Sequence, residues 1–220
     1  MRGGDSRRNT AAKKVGRINP GDKQIQEAAR IIRQGGIVAY PTESFYGLGV
    51  DPTMEDGVER LFRVKGRKKD QPILLLVAST GVLSRLVKNI TPEAHRLMDG
   101  LWPGGLTLVL AASERIPPAI TAGTGKVGIR ISSHPAAALL VQAAGGIITG
   151  TSANLSGRPP CRFAEEVFQQ LGSRVDMILD GGVTPGKNAS TVLDVSEKPP
   201  RILREGMVSR KEIENYVDLA

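Results

Sequence analysis

Cysteine is almost absent from this chain: Cys161 is the only one among 220 residues. That excludes an intramolecular disulfide, leaves a cysteine-based metal site without partners, and suits a reducing cytoplasm. Histidine is nearly as scarce. His95 and His134 stand alone in the sequence, and no triad or metal cluster forms around either. Aromatic residues make up only 4% of the chain, so a core drawn from its 40% hydrophobic content must be mainly aliphatic. No apolar run approaches the roughly 20 residues that a membrane-spanning helix needs. The basic N-terminus leads into no apolar segment of the kind that marks a secretory signal. Neither GxGxxG nor GxxxxGK[ST] occurs. An enzyme of this composition works by positioning and electrostatics more than through a histidine base.

Acidic residues are also in deficit. Asp and Glu total 22 against 30 Lys and Arg, giving a net charge of +8 and a pI near 9.9. The balance favours anionic partners such as nucleotides or RNA. Much of the excess is local, because Arg2, Arg7, Arg8, Lys13, Lys14 and Arg17 face only Asp5, a net of +5 before residue 18. Residues 1–19 therefore read as a basic, disordered tail, either an RNA-contacting arm or, the plainer reading, a solvated extension. Residues 20–220 read as one domain.

Within that domain helices and strands interleave without a linker or an internal repeat. Asp22 is placed to cap a helix that carries Ile25, Ala28, Ala29 and Ile32 on one face and stops at Gly35-Gly36. Helices are expected over 55–64, from the Thr91-Pro92 start, over 135–144, over 163–171 and near 209–217. Short apolar strands are expected at 37–40, 73–77, 106–110, 127–131, 147–149, 175–179, 191–195 and 202–203. Several consecutive strands have no helix between them. The pattern predicts a single α/β domain built on one twisted sheet, mixed in direction and flanked by helices.

Two segments carry most of the chemistry. Lys65-Gly66-Arg67-Lys68-Lys69 packs four cations into five residues, more than are needed to compensate a helix dipole. Gly150 to Gly157, GTSANLSG, follows a strand with small hydroxyl and amide side chains, among them Ser152 and Asn154. Cations for phosphate and short donors on a closely approaching backbone are what a polyphosphate site requires. PTESFYGL, from Pro41 to Leu48, leaves a strand and offers Thr42 and Glu43; an ordinary strand-exit turn over a buried Tyr46 is the competing reading. Arg130 sits in the apolar run VGIRI, which calls either for a partner carboxylate or for capture of a substrate anion. Trp102, on the turn WPGGLT, reads as a structural anchor. His95 reads as a surface residue, and His134, before Pro135, as a helix cap.

Taken in order, PTESFYGL, KGR, WPGGLT, VGIR, TSANLSG, STVLD and ILREG resemble the YrdC-type domain, the catalytic domain of threonylcarbamoyl-adenylate synthases. The resemblance runs from about Gln24 to the C-terminus and matches the short, single-domain form. It implies a twisted mixed α/β fold around a basic central cavity. It also implies synthesis of L-threonylcarbamoyl-AMP and pyrophosphate from L-threonine, bicarbonate or CO2, and ATP with Mg2+. A downstream transferase complex would then carry the group to adenosine 37 of tRNAs that read ANN codons. Carried over by position, Thr42, Arg130, Gly150 and Ser190 hold threonine. Lys65, Arg67, Lys126, Ser152, Asn154 and Arg204 hold the nucleotide, with Lys65 and Arg67 the catalytic pair, and no side chain is assigned to a metal. The chain departs from the pattern at Gln71, where asparagine is common, at Leu76, where histidine is common, at Lys68, where proline is usual, and at Cys161, where threonine is usual.

Other readings compete. A non-catalytic protein of the same fold would grip tRNA or double-stranded RNA through phosphates, but the small-residue wall TSAN is not needed for that. A carbamoyl-adenylate domain of a hydrogenase maturation protein would come with cysteine-rich modules that one cysteine cannot supply. A paralogue with an altered substrate is disfavoured by the intact KGR and SAN segments.

Overall fold

The computed structural model describes residues 23–220. The basic tail and the capping role of Asp22 lie outside the described residues. Helix α1 (Lys23–Arg33) buries Ile25, Ala28, Ala29 and Ile32, the stripe its periodicity predicts. It ends where Gly35 takes a left-handed φ of +81°. Strands β1 (Val38–Tyr40) and β2 (Gly47–Gly49) follow, then α2 (Glu55–Lys65), β3 (Leu75–Val77), α3 (Pro92–Leu101), β4 (Leu106–Ala111), the short α4 (Pro118–Thr121) and β5 (Lys126–Arg130). The second half contains α5 (Pro135–Ala143), β6 (Ile147–Thr149), β7 (Thr151–Ser152), α6 (Ala164–Leu171), β8 (Met177–Ile178), β9 (Thr191–Asp194), β10 (Arg201–Arg204) and α7 (Arg210–Glu214).

Helix ends follow local chemistry. Thr91 accepts from the Ala94 N–H with Pro92 in the first turn of α3, and Ser209 and Glu212 close a reciprocal capping box on α7. His134 caps α5, its Nδ1 accepting from the Ala136 N–H at 3.2 Å.

The expectation of one sheet is corrected. Among the described residues the strands form two: a four-stranded sheet in the order β7-β2-β1-β8 and a six-stranded sheet in the order β10-β9-β4-β5-β3-β6. The chain changes sheets at one residue. Thr149 pairs with Leu75 in the larger sheet, Thr151 pairs with Leu48 in the smaller, and Gly150 alone stands between them. Both sheets are mixed: β4 runs parallel to β9 and antiparallel to β5, while β1 runs parallel to β8 and antiparallel to β2.

Strand periodicity divides the larger sheet into a core face and an open face. On β4, Leu106, Leu108 and Leu110 are buried in the main aliphatic core, so Thr107 and Val109 project the other way. On β5, Val127 and Ile129 join the same core. Lys126, Gly128 and Arg130 are thereby left on the open face.

Candidate functional site

The open face of the larger sheet is the floor of a cavity of about 530 Å³. Thr107, Val109, Lys126, Gly128, Arg130, Val192 and Asp194 pave it; Thr42, Ser44, Phe45 and Tyr46 form one wall, and Arg67, Pro72, Thr151, Ser152, Asn154 and Pro160 another. Ser190, Leu203 and Arg204 close the side toward β10. The charged lining among the described residues is Arg67, Lys126, Arg130 and Arg204 against Asp194. Segments distant in sequence therefore meet around one hollow.

Gly66 explains how the KGR segment divides. It takes a left-handed φ of 60° as the C-cap of α2, its own N–H reaching the Arg63 carbonyl while the Arg67 N–H reaches Phe62. The chain turns there, Lys65 pointing inward and Arg67 toward the cavity. Arg67 donates through Nη2 to the Pro72 carbonyl at 2.8 Å, and burial lowers its pKa. Among the described residues its guanidinium meets only carbonyl oxygens.

Lys65 is placed apart from the other predicted residues. It does not line the cavity, and only 2% of it is exposed. Its Nζ donates to the Ser152 carbonyl, to the Asn154 carbonyl at 2.9 Å and to Asn154 Oδ1 at 3.4 Å. An ammonium has three protons, and all three have acceptors in the Ser-Asn loop. Lys65 therefore ties that loop down from behind. Burial, followed by the like charge of Arg67, pushes its pKa down to about 8. The other cations of the run are peripheral: Lys69 pairs with Glu59 at 2.9 Å, and Lys68 is exposed.

Asn154 completes the loop from its own side, donating through Nδ2 to the carbonyls of Leu155 at 2.9 Å and Arg158 at 2.6 Å. Ser152 is exposed to the cavity. At Gly150 an added Cβ would lie 2.5 Å from Leu74 Cδ1 and 3.0 Å from Leu76 Cγ, so a side chain at this junction would have to displace both leucines.

Arg130 is 4% exposed and is ion-paired with Glu43, whose other carboxylate oxygen accepts from Ser132 Oγ. The partner carboxylate that an apolar strand demands is thus present. Yet Arg130 also lines the cavity, and its buried Nε–H finds no hydrogen-bond partner among the described residues. Burial lowers its pKa to about 10, which still leaves it charged at neutral pH. Thr42 Oγ1 donates to the Phe45 carbonyl at 2.7 Å and accepts from the Ser44 N–H, shaping the turn of which it is part. Ser190 Oγ lies 3.0 Å from Thr107 Oγ1, and Arg204 Nη2 donates to the Ser190 carbonyl at 2.8 Å. Lys126 is held by Asp194 at 3.0 Å and Glu197 at 2.7 Å.

Of the ten residues predicted for the site, nine line this cavity, and Lys65 supports its wall. Thr107, Asp194 and Leu203 line it unpredicted. Thr107 and Asp194 fall inside the motifs WPGGLT and STVLD, where strand alternation could have placed them. Of the departures from the family pattern, Leu76 is in the core, the Gln71 side chain is exposed, and Cys161 is buried with its thiol pushed up to about 11 by desolvation. Trp102 anchors its loop by donating to the Leu106 carbonyl at 2.7 Å, and His95 is exposed.

The protein-family model for Sua5, YciO and YrdC, described as "Telomere recombination", matches residues 30–206. The chain belongs to this family. It is 41% identical over 194 residues to the threonylcarbamoyl-AMP synthase of Pyrococcus abyssi, covering 88% of this chain and 57% of that one. It is 38% identical over 201 residues to the threonylcarbamoyl-AMP synthase of Bacillus subtilis, covering 91% of this chain and 58% of that one. The chain thus spans little more than half the length of these two Sua5/YciO/YrdC relatives. Among solved structures, P. abyssi Sua5 complexed with L-threonine superposes with a TM-score of 0.89 at 39% identity, over 93% of this chain and 61% of that one. The two-sheet architecture is therefore the family's fold.

Proposed function

We propose that this chain is an L-threonylcarbamoyladenylate synthase, a nucleotidyltransferase acting on L-threonine, CO2 or bicarbonate, and ATP. The observation that carries the reading is the convergence of Arg67, the Ser152–Asn154 loop, Arg130, Ser190 and Arg204 on one cavity. The names of the relatives and the L-threonine bound to P. abyssi Sua5 support it.

The chemistry suits these residue types. The amine of threonine adds to CO2 to give a carbamate. A carbamate oxygen then forms a bond to the α-phosphorus of ATP while the bond from that phosphorus to the bridging oxygen breaks, and pyrophosphate leaves. Two anions must approach each other, so fixed positive charge is the main requirement. On this reading Arg67 and the loop pinned by Lys65 take the triphosphate. On this reading Arg130, whose buried Nε–H has no hydrogen-bond partner among the described residues, takes the amino-acid carboxylate, and Thr42 and Ser190 take its other polar groups. No group of three or more acidic, His or Cys side chains is set to hold a metal among the described residues. Asp194, the cavity's carboxylate, is already occupied by Lys126 and Ser196. Mg2+ then fits as part of the substrate MgATP, ligated mainly by phosphate oxygens and water.

On this reading the product passes to a complex that modifies adenosine 37 of tRNAs reading ANN codons, and the setting is cytoplasmic. No helix among the described residues is long and apolar enough to cross a membrane. The test is pyrophosphate release with ATP, bicarbonate and each of a panel of amino acids. Release that depends on threonine and on bicarbonate is expected; release indifferent to the amino acid, or none, would contradict the assignment.

A further inference from the structure

Glu43 stands behind the cavity. Thr42 and Ser44, on either side of it, line the hollow, and Glu43 does not. It is 8% exposed, and its two oxygens have separate partners: Oε1 is ion-paired with Arg130 Nη1, and Oε2 accepts from Ser132 Oγ. Ser132, two residues beyond Arg130, is itself buried and accepts from the His134 N–H at 3.2 Å. The backbone entering α5 thus fixes Ser132, Ser132 fixes the carboxylate, and the carboxylate fixes one end of the guanidinium.

Among the described residues Glu43 is the only ionic or hydrogen-bonding partner of that guanidinium. Leu76, in register with Arg130 on β3, is aliphatic and offers no acceptor. Tyr40 also lines the cavity, but its hydroxyl is committed to the Thr149 carbonyl at 3.0 Å. An arginine without an anchor spreads over many rotamers, and ordering it again on binding costs affinity. With Nη1 engaged by Glu43, the edge formed by Nε and Nη2 is the one left for a ligand. Two parallel N–H groups on one edge match the two oxygens of a carboxylate.

We infer that Glu43 is a positioning residue of the proposed reaction: it fixes Arg130 through Nη1, so that the Nε–Nη2 edge meets the amino-acid carboxylate side-on. This rests on the reading of Arg130 as the partner of that carboxylate. It adds the group that orients Arg130 and the edge that is used. The charge and the oxygen of Glu43 have separable effects. The charge serves folding, because a buried cation without a counter-ion is costly. The oxygen serves binding, because it holds Nη1 in place. Glu43→Gln keeps an acceptor for Nη1 and loses the charge, whereas Glu43→Ala loses both.

The experiment is calorimetric titration of the wild type, Glu43→Gln, Glu43→Ala and Arg130→Gln with L-threonine and, separately, with MgATP. Glu43→Ala is expected to weaken threonine about tenfold or more, the scale of a lost hydrogen bond to a charged group. Glu43→Gln should stay within about twofold of wild type, because the hydrogen bond is retained. Both should keep wild-type affinity for MgATP, and in pyrophosphate assays the loss in Glu43→Ala should fall on KM for threonine and not on KM for ATP. Wild-type or tighter threonine binding in Glu43→Ala would overturn the inference. So would an equal loss in Glu43→Gln, or a parallel loss for MgATP, which marks a general effect on the fold. Should Glu43→Ala not fold, Ser132→Ala takes its place, since it unpins the carboxylate without removing it; a loss of about threefold for threonine is then expected, and wild-type affinity would overturn the inference. Arg130→Gln tests the reading beneath: unchanged threonine affinity there would remove Arg130 from the carboxylate, and a wild type that binds no threonine would sink the proposed function itself.

Discussion

Lys65 and Arg67 are two residues apart and carry the same charge, but they do different work. The backbone reversal at Gly66 sends one ammonium into the protein and one guanidinium into the cavity. Their substitutions should therefore separate. Arg67→Ala should leave the thermal midpoint near wild type and reduce adenylate formation by about a hundredfold or more, the scale for losing a preorganised charge contact. Lys65→Met leaves the Ser152 and Asn154 acceptors without a donor. It should lower stability by about 1–3 kcal/mol as well as activity. Denaturant melts run beside pyrophosphate assays read both; a Lys65→Met protein of full stability would refute the tether. This division also shows what could be read from the sequence. Cations beside a glycine pointed to phosphate, and the small residues of TSAN pointed to a close-approach loop. Which cation faces the ligand depends on a left-handed turn whose consequence is three-dimensional, so composition alone assigned both to the phosphates.

Elements set the remaining side chains, and here backbone geometry decides. Gly206, just after β10, approaches the segment leading into β9 so closely that an added Cβ would lie 2.2 Å from the Ala189 carbonyl oxygen and 2.7 Å from the Ser190 carbonyl carbon. Backbone cannot yield as a side chain can, so Gly206→Ala should shift Ser190 and the Arg204 contact to it. The expected result is a raised KM for the amino acid and a loss of about 1–3 kcal/mol in denaturant titration; wild-type values for both would contradict this packing. Helix α5 gives a pH prediction. Its cap requires His134 Nδ1 unprotonated, and burial lowers the His134 pKa below its usual 6.5. As pH falls below 6.5 the unfolded chain takes up this proton before the folded one does, so stability declines across that range. His134→Asn, which can cap without titrating, should flatten that decline, as denaturation midpoints at pH 7.5 and 5 would show. Capping at Thr91 and His134 was legible because it depends on neighbours in sequence. The β-bulge at Leu203 was not, because it exists only in the register between β9 and β10, where Ile202 opposes Leu193 and Arg204 opposes Val192.

For the whole molecule, alternation of apolar and polar residues along β4 and β5 gives one face to the core and the other to the cavity. The α/β class and most of the elements could be read from helical periodicity and short apolar runs, although β2, β7 and α4 could not. The division into two sheets could not. It turns on Gly150 standing between Thr149 and Thr151, whose side-chain patterns are the same in either sheet. That junction brings the Ser-Asn loop over the floor that holds Arg130, and the proposed reaction requires the two together. The direct test supplies 13C-bicarbonate, L-threonine and MgATP to the wild type and to Arg67→Ala, and follows 13C and 31P resonances. The account predicts a labelled carbamoyl carbon bonded through oxygen to an AMP phosphate in the wild type and a loss of about a hundredfold in Arg67→Ala. No labelled adenylate from the wild type, or equal amounts from both proteins, would contradict it.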